Sequence, residues 1–101
     1  MKITVTAEDI AQGEPKDAIY CPVARALTRV WDRPAWVCWG TATYFADRAP
    51  DSSLEFPTFL VSFKFDLPDQ VNEFIERFDE GDTVEPFEFD IADEGVMASY
   101  E

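Results

Sequence analysis

TFLVSFKFDLPDQVNEFIERFDEG, residues 58–81, carries two periodicities back to back. In 56–65, Phe59, Val61, Phe63 and Phe65 alternate with Thr58, Leu60, Ser62 and Lys64, the two-residue period of a strand. Val71, Phe74, Ile75 and Phe78 then recur at i, i+3, i+4 and i+7, which draws one apolar stripe along a helix. Asp66 or Asp69 opens that helix, Pro68 sits in its first turn, and Gly81 ends it.

Toward the C-terminus, residues 85–91 alternate again. Phe87, Phe89 and Ile91 point inward, Glu88 and Asp90 outward, and Pro86 assigns the strand to a sheet edge. Residues 92–101 read as a loose acidic tail. Toward the N-terminus, 46–55 is a polar loop and 35–45 one strand with large groups on both faces, Gly40 marking a bulge or a close approach. Pro22 begins a helix over 22–31, with Val23, Ala26, Leu27 and Val30 as its apolar face and Pro34 as its stop. Ile3 and Val5 share one face of a first strand, and Thr6 caps a helical turn over 7–11 that Gly13 and Pro15 break.

The order β-α-β-β-α-β predicts a single α+β domain over 1–101. Its expected form is ferredoxin-like: a four-stranded antiparallel sheet with two helices on one face. The expected core contains Phe59, Phe63, Phe74, Ile75, Phe78, Phe87 and Phe89. The long first connection, 7–21, must be accommodated as an insertion.

A hydrophobic fraction of 47% with 15% aromatics excludes disorder along the whole length. The net charge of −13 excludes nonspecific binding to nucleic acid or anionic membrane as the default. The opening residues lack the apolar run of a signal peptide, and no run reaches 18 apolar residues, so a cytoplasmic, non-membrane chain is expected. With no histidine, the commonest general base and metal ligand are missing. Cys21 stands at a helix N-terminus, where the dipole lowers a thiol pKa, and is the strongest nucleophile candidate. Without a base beside it, Cys21 and Cys38 are expected to be reduced, largely buried thiols. Residues 79–82 resemble a calcium-loop fragment but lack its ligand spacing, so a helix C-cap is preferred. Trp31, Trp36 and Trp39 are assigned to packing rather than to base stacking. No catalytic, cofactor or metal residue is expected.

The charge is divided along the chain. Residues 1–65 hold eight acids against seven bases; residues 66–101 hold thirteen acids against Arg77 alone. Asp69, Glu73, Glu76 and Glu80 lie within about 60° of one another on the second helix, opposite its apolar stripe. With Asp82, Glu85, Glu88 and Asp90 they form the candidate partner-binding set. A row of carboxylates one helical turn apart is a surface that imitates nucleic-acid phosphate and fits a basic groove on another protein. The alternative is a solvated face that keeps an aromatic-rich chain soluble. Arg25, Arg29 and Arg33 step by four on the first long helix, and are expected to meet acids such as Glu73 or Glu76, with a phosphate or RNA site as the other reading.

Ile3-Thr4-Val5-Thr6-Ala7-Glu8-Asp9-Ile10, followed by Cys21-Pro22-Val23-Ala24-Arg25-Ala26-Leu27, resembles the opening of a family of small acidic proteins encoded by bacteriophages and prophages. Leu67-Pro68, Phe74-Ile75, Phe78-Asp79, Gly81, Pro86-Phe87 and Phe89 resemble that family's C-terminal half. The resemblance implies no activity or site residues. It implies a context, a host cell's cytoplasm, where such proteins often inhibit defence systems or nucleic-acid enzymes. The expected function is therefore anti-defence inhibition or modulation of a basic, nucleic-acid-binding host protein by a monomer or homodimer that binds no nucleic acid itself. The alternative is a non-catalytic accessory module that self-associates.

Overall fold

A computed structural model describes residues 1–38, 40–48 and 59–100. Its elements are β1 (Lys2–Val5), α1 (Ala7–Gln12), α2 (Pro22–Trp31), β2 (Trp36–Cys38), β3 (Thr41–Arg48), β4 (Phe59–Asp66), α3 (Asp69–Asp79), β5 (Phe87–Asp90) and β6 (Val96–Tyr100). The α+β class is as the periodicities require.

Local chemistry explains most boundaries. Thr6 caps α1 in a reciprocal box: its hydroxyl accepts from the Asp9 amide at 3.1 Å, and the Asp9 carboxylate accepts from the Thr6 amide at 3.0 Å. Cys21 caps α2, with Pro22 in the first turn. This helix stops before Pro34, at Asp32 in the left-handed region (φ 54°). Pro68 is the N-cap of α3 rather than part of its first turn. The far end of α3 is a Schellman motif: Gly81 (φ 86°) donates to the Phe78 carbonyl at 3.0 Å and Asp82 to the Arg77 carbonyl at 2.9 Å. Residues 79–82 thus serve as the expected C-cap.

The predicted single sheet is not what forms. The described strands make a two-stranded sheet, β1–β5, and a four-stranded sheet in the order β2-β3-β4-β6, all antiparallel. Two pairings of the ferredoxin-like scheme are present, first strand with the 85–91 strand and second with third. The remaining one, β1 parallel to β4, is not found among the described residues. The edge of β4 that it requires is taken by β6, from Leu60↔Tyr100 to Lys64↔Val96. The tail expected to be loose is therefore a strand. Gly95 lets it approach: a Cβ there would stand 2.7 Å from the Phe65 ring.

Residues 35–45 also differ from expectation. They form a hairpin, β2 folding back on β3 with Cys38 opposite Thr41, and Gly40 (φ 80°) supplies the positive φ of the turn. The strand predicted over 56–65 is present as β4 from Phe59, and β3 runs on through Arg48 into the predicted loop; residues 49–58 lie outside the described residues.

The core lies between β1, α2 and α3. Ile3, Val5, Val23, Ala26, Leu27 and Val71 are sealed from solvent, and Phe65, Phe74, Phe89 and Ile91 are buried around them. Of the expected aromatic core, Phe74 and Phe89 are buried, while Phe63, Ile75, Phe78 and Phe87 are half-buried against it. Phe59's side chain lies outside the described residues. Val30, expected on the buried face of α2, is exposed; Trp31 packs instead, stacked on Phe65 at 5.0 Å. Trp36 is exposed, edge-on to Phe45; Trp39 lies outside the described residues. The chain extends 52 × 22 × 19 Å, with a radius of gyration of 15.2 Å, against about 13 Å for a rounded domain of this length. The eight-residue strands β3 and β4 are each about 26 Å long.

Candidate functional site

All eight carboxylates of the candidate surface are exposed. Asp69 opens α3, Glu73 and Glu76 lie along it, and Glu80 is its C-cap. The buried side of that helix, Val71 and Phe74, faces the core, which fixes the row toward solvent. Among the described residues only Glu88 of the eight has a cation within 4.0 Å, Lys2 at 3.4 Å across the β1–β5 pair.

The structure does not collect the eight into one plane. Glu73 and Glu85 line a common groove of about 470 Å3, floored by Phe74, Val84, Pro86 and Phe87, with Arg77 on its wall. Asp90 instead lines a groove of about 650 Å3 at the junction of the two sheets, with Asp66, Glu94 and Lys64 around Leu67, Ile91 and Val96. Sequence reading omitted Asp66 and Glu94 because neither falls on the helix row or the β5 alternation. Val96 there is 75% exposed.

The arginines behave differently from the expectation. Neither Arg25 nor Arg29 meets Glu73 or Glu76. Arg29 donates from both arms of its fork to Asp9, at 3.0 and 2.8 Å, and also to the Thr4 carbonyl at 3.1 Å. Arg25 places its Nε 3.6 Å from the same carboxylate. Arg33 sits over the Tyr44 ring, 5.2 Å from its centroid, and donates to the Phe45 carbonyl at 3.3 Å. Burial alone would push the Asp9 carboxyl up, but the Arg29 guanidinium and the Thr6 bonds outweigh it and hold the group below its ordinary value. The signal for Asp9 was present in sequence: position N3 of a capping box, on a helical turn leading into the arginine helix.

Cys21 and Cys38 line one cavity of about 230 Å3, together with Lys16, Asp17, Asn72 and Asp79. Lys16, itself in the left-handed region (φ 59°), donates its amide to Asp79 at 2.8 Å, which ties the 13–21 connection to α3. Burial pushes the Cys21 thiol up, and the amides of Ala24 and Val23 only partly offset it. The lowering expected from the helix dipole is therefore overturned by desolvation. Cys38 is exposed, contrary to the expectation of two buried thiols. No group of three His, Cys, Asp or Glu side chains able to hold a metal ion occurs among the described residues. No helix among them is long and apolar enough to cross a membrane.

Comparison of the chain with models of known families, with curated proteins and with solved structures finds no match.

Proposed function

We propose that this chain is a non-catalytic binding domain whose acidic C-terminal third engages a basic surface on another protein, a nucleic-acid-binding one of the host cell in a phage context. One observation carries the reading. Seven of the eight candidate carboxylates are exposed with no cation within 4.0 Å among the described residues, and Asp69, Glu73 and Glu76 of these lie on α3, with Glu80 as its C-cap, a helix whose opposite face is locked into the core. Such a row is mildly unfavourable for the helix itself, a cost that a basic partner would offset. The grooves beside it add apolar floors suited to the alkyl stems of lysine and arginine. On the fold, the two shared pairings support reading the body as an opened ferredoxin-like arrangement in which β6 has replaced β1 beside β4.

The test is capture of partners from host lysate by the wild type and by a variant carrying Asp69→Asn, Glu73→Gln, Glu76→Gln and Glu80→Gln. Affinity for the captured partner is expected to fall by about tenfold or more, mostly through the on-rate, and to weaken with salt. Duplex DNA is expected to compete. An unchanged affinity would discard mimicry in favour of the accessory module. The uncharged outer strand β6, whose far edge has no neighbour in the described sheet, is the specific feature that supports self-association.

A further inference from the structure

The two sheets end in the outer strands β1, β5, β2 and β6, and the first three are protected. In β1 the Thr4 carbonyl is taken by Arg29 at 3.1 Å, and Lys2 adds a charge. Strand β5 follows Pro86 and carries Glu88 and Asp90. Strand β2 is only three residues long, and its Val37 amide donates to the Ala18 carbonyl at 2.8 Å. Charge, proline, short length and a covering loop are the devices that keep sheet edges from pairing with other chains. Among the described residues β6 has none of them. Its five residues, Val96–Tyr100, are uncharged and contain no proline, and no strand lies on the side away from β4. Two further observations bear on what fits there. Val96 is 75% and Met97 50% exposed, and as neighbours along a strand they belong to opposite faces. A group docked on one face would cover one of them, whereas an added strand sets cross-strand neighbours beside both. Residues 95–100 are also the longest stretch without an acid in 66–101, where no other such stretch exceeds three residues. A basic peptide would find no carboxylate on β6 itself, and an identical strand would meet no like charge.

We propose that β6 is the interface of a homodimer, in which it pairs antiparallel with β6 of a second copy and joins the two four-stranded sheets into one continuous sheet. An antiparallel pair of identical strands is two-fold symmetric, which closes the assembly at two chains. All five residues of the strand pair only when the axis passes at Ala98. That register sets Ala98 against Ala98 of the second copy, Met97 against its Ser99, and Val96 against its Tyr100, a β-branched residue opposite an aromatic one. The proposal rests on the self-association reading given above and names its surface and register. The acidic row takes no part in the pairing, so the two bindings fail separately.

Sedimentation equilibrium of the whole chain from about 10 μM to about 1 mM is expected to show a mass that rises from one chain toward two. Pairing is expected to be several-fold tighter at about 0.5 M salt than at about 0.05 M, because the repulsion between two acidic chains is screened. Binding of the acidic row to a basic partner has the opposite salt dependence. A one-chain mass throughout, a mass beyond two chains, or association that weakens with salt would each overturn the proposal. Crosslinking reads the register, in a Cys38→Ser background with Cys21 buried. Ala98→Cys sets the two introduced thiols across the axis, with Cα atoms about 4.5–5.5 Å apart and within disulfide reach. Val96→Cys sets them about 13 Å apart. Under mild oxidation Ala98→Cys is expected to give a covalent dimer, and Val96→Cys at least about tenfold less. Equal crosslinking of the two, or none with a folded Ala98→Cys, overturns the pairing. Should Ala98→Cys unfold, Val96→Cys chains are mixed with Tyr100→Cys chains; crosslinking in the mixture but in neither alone supports the register, and none in the mixture overturns it.

Discussion

Arg29 grips the fully buried carboxylate of Asp9 with both arms of its guanidinium, across twenty residues of chain. The same fork reaches the Thr4 carbonyl, so one side chain joins β1, α1 and α2. Replacing Asp9 by Asn keeps the shape and removes the charge. At pH 7 this should cost about 1–3 kcal/mol, the range for hydrogen bonds to charged groups. The pH dependence has a definite sign. The folded carboxyl is held below its ordinary value of 3.8, so on acidification the unfolded chain takes the proton first. The stabilisation is complete above the unfolded value and is lost as pH falls through the folded one. Urea midpoints of wild type and Asp9→Asn should therefore differ at pH 7 and converge toward pH 2. A gap that stays constant would show that the charge is not its source.

Phe74 is the joint between α3 and the small sheet: its ring lies 4.6 Å from Phe87 and 6.2 Å from Phe78. Phe74→Ala should destabilise by about 3–5 kcal/mol, a large share of a small domain's total. Denaturant unfolding measures it. A loss under about 1 kcal/mol would mean that the helix is not anchored there.

The two thiols should separate by rate. Exposed Cys38 should be labelled by a thiol reagent within minutes at pH 8, whereas Cys21, buried and with its thiol pushed up, should wait for unfolding. Mass spectrometry of the labelled protein decides between one and two adducts. Cys38→Ser should leave partner binding intact.

Both long helices were legible in the sequence because their ends are chemically marked: Cys21-Pro22 at one start, Gly81 at one stop. The β2–β3 hairpin was not, since 35–45 is apolar on both faces and no Asn-Gly or Asp-Gly signals its turn. The strand β6 was hidden for a related reason. Its residues 96–100 are too short to establish a period, and they follow a polar Asp93-Glu94-Gly95 run that reads as a tail. The acidic row was fully readable, because a helix period fixes which side chains share a face. The Asp9–arginine cluster was not, because it depends on where α1 docks, and only tertiary packing decides that.

Gly95 tests the attachment of β6. A methyl group there meets the Phe65 ring at 2.7 and 2.8 Å, and that ring is buried and stacked on Trp31. Gly95→Ala should cost about 1–3 kcal/mol as an overpacking change. Amide exchange should accelerate in 96–100 and in the paired half of β4, with α2 unaffected. Uniform acceleration would show that β6 does not open on its own.

Neutralising Asp69, Glu73, Glu76 and Glu80 should leave the fold intact and raise its melting temperature slightly at low salt, since each like-charge pair costs a few tenths of a kcal/mol. The gain should vanish in molar salt as the charges are screened. A marked fall in stability would mean that the row makes contacts within the chain.

The pairing of Lys2 with Asp90, and of the Met1 ammonium with the Ile91 carbonyl, sets the order of assembly. The first strand has no partner until residues 87–90 have left the ribosome, and β4 gains its second neighbour only with residues 96–100. An emerging chain can wind α2 early, but the cluster that its apolar face joins also draws on Val71, Phe74, Phe89 and Ile91 and is complete only when these have emerged. Folding should therefore be a concerted event limited by closing the long loop between β1 and β5. Once it has emerged, the acidic segment from residue 66 onward keeps the still-open, aromatic-rich chain apart from its neighbours by repulsion.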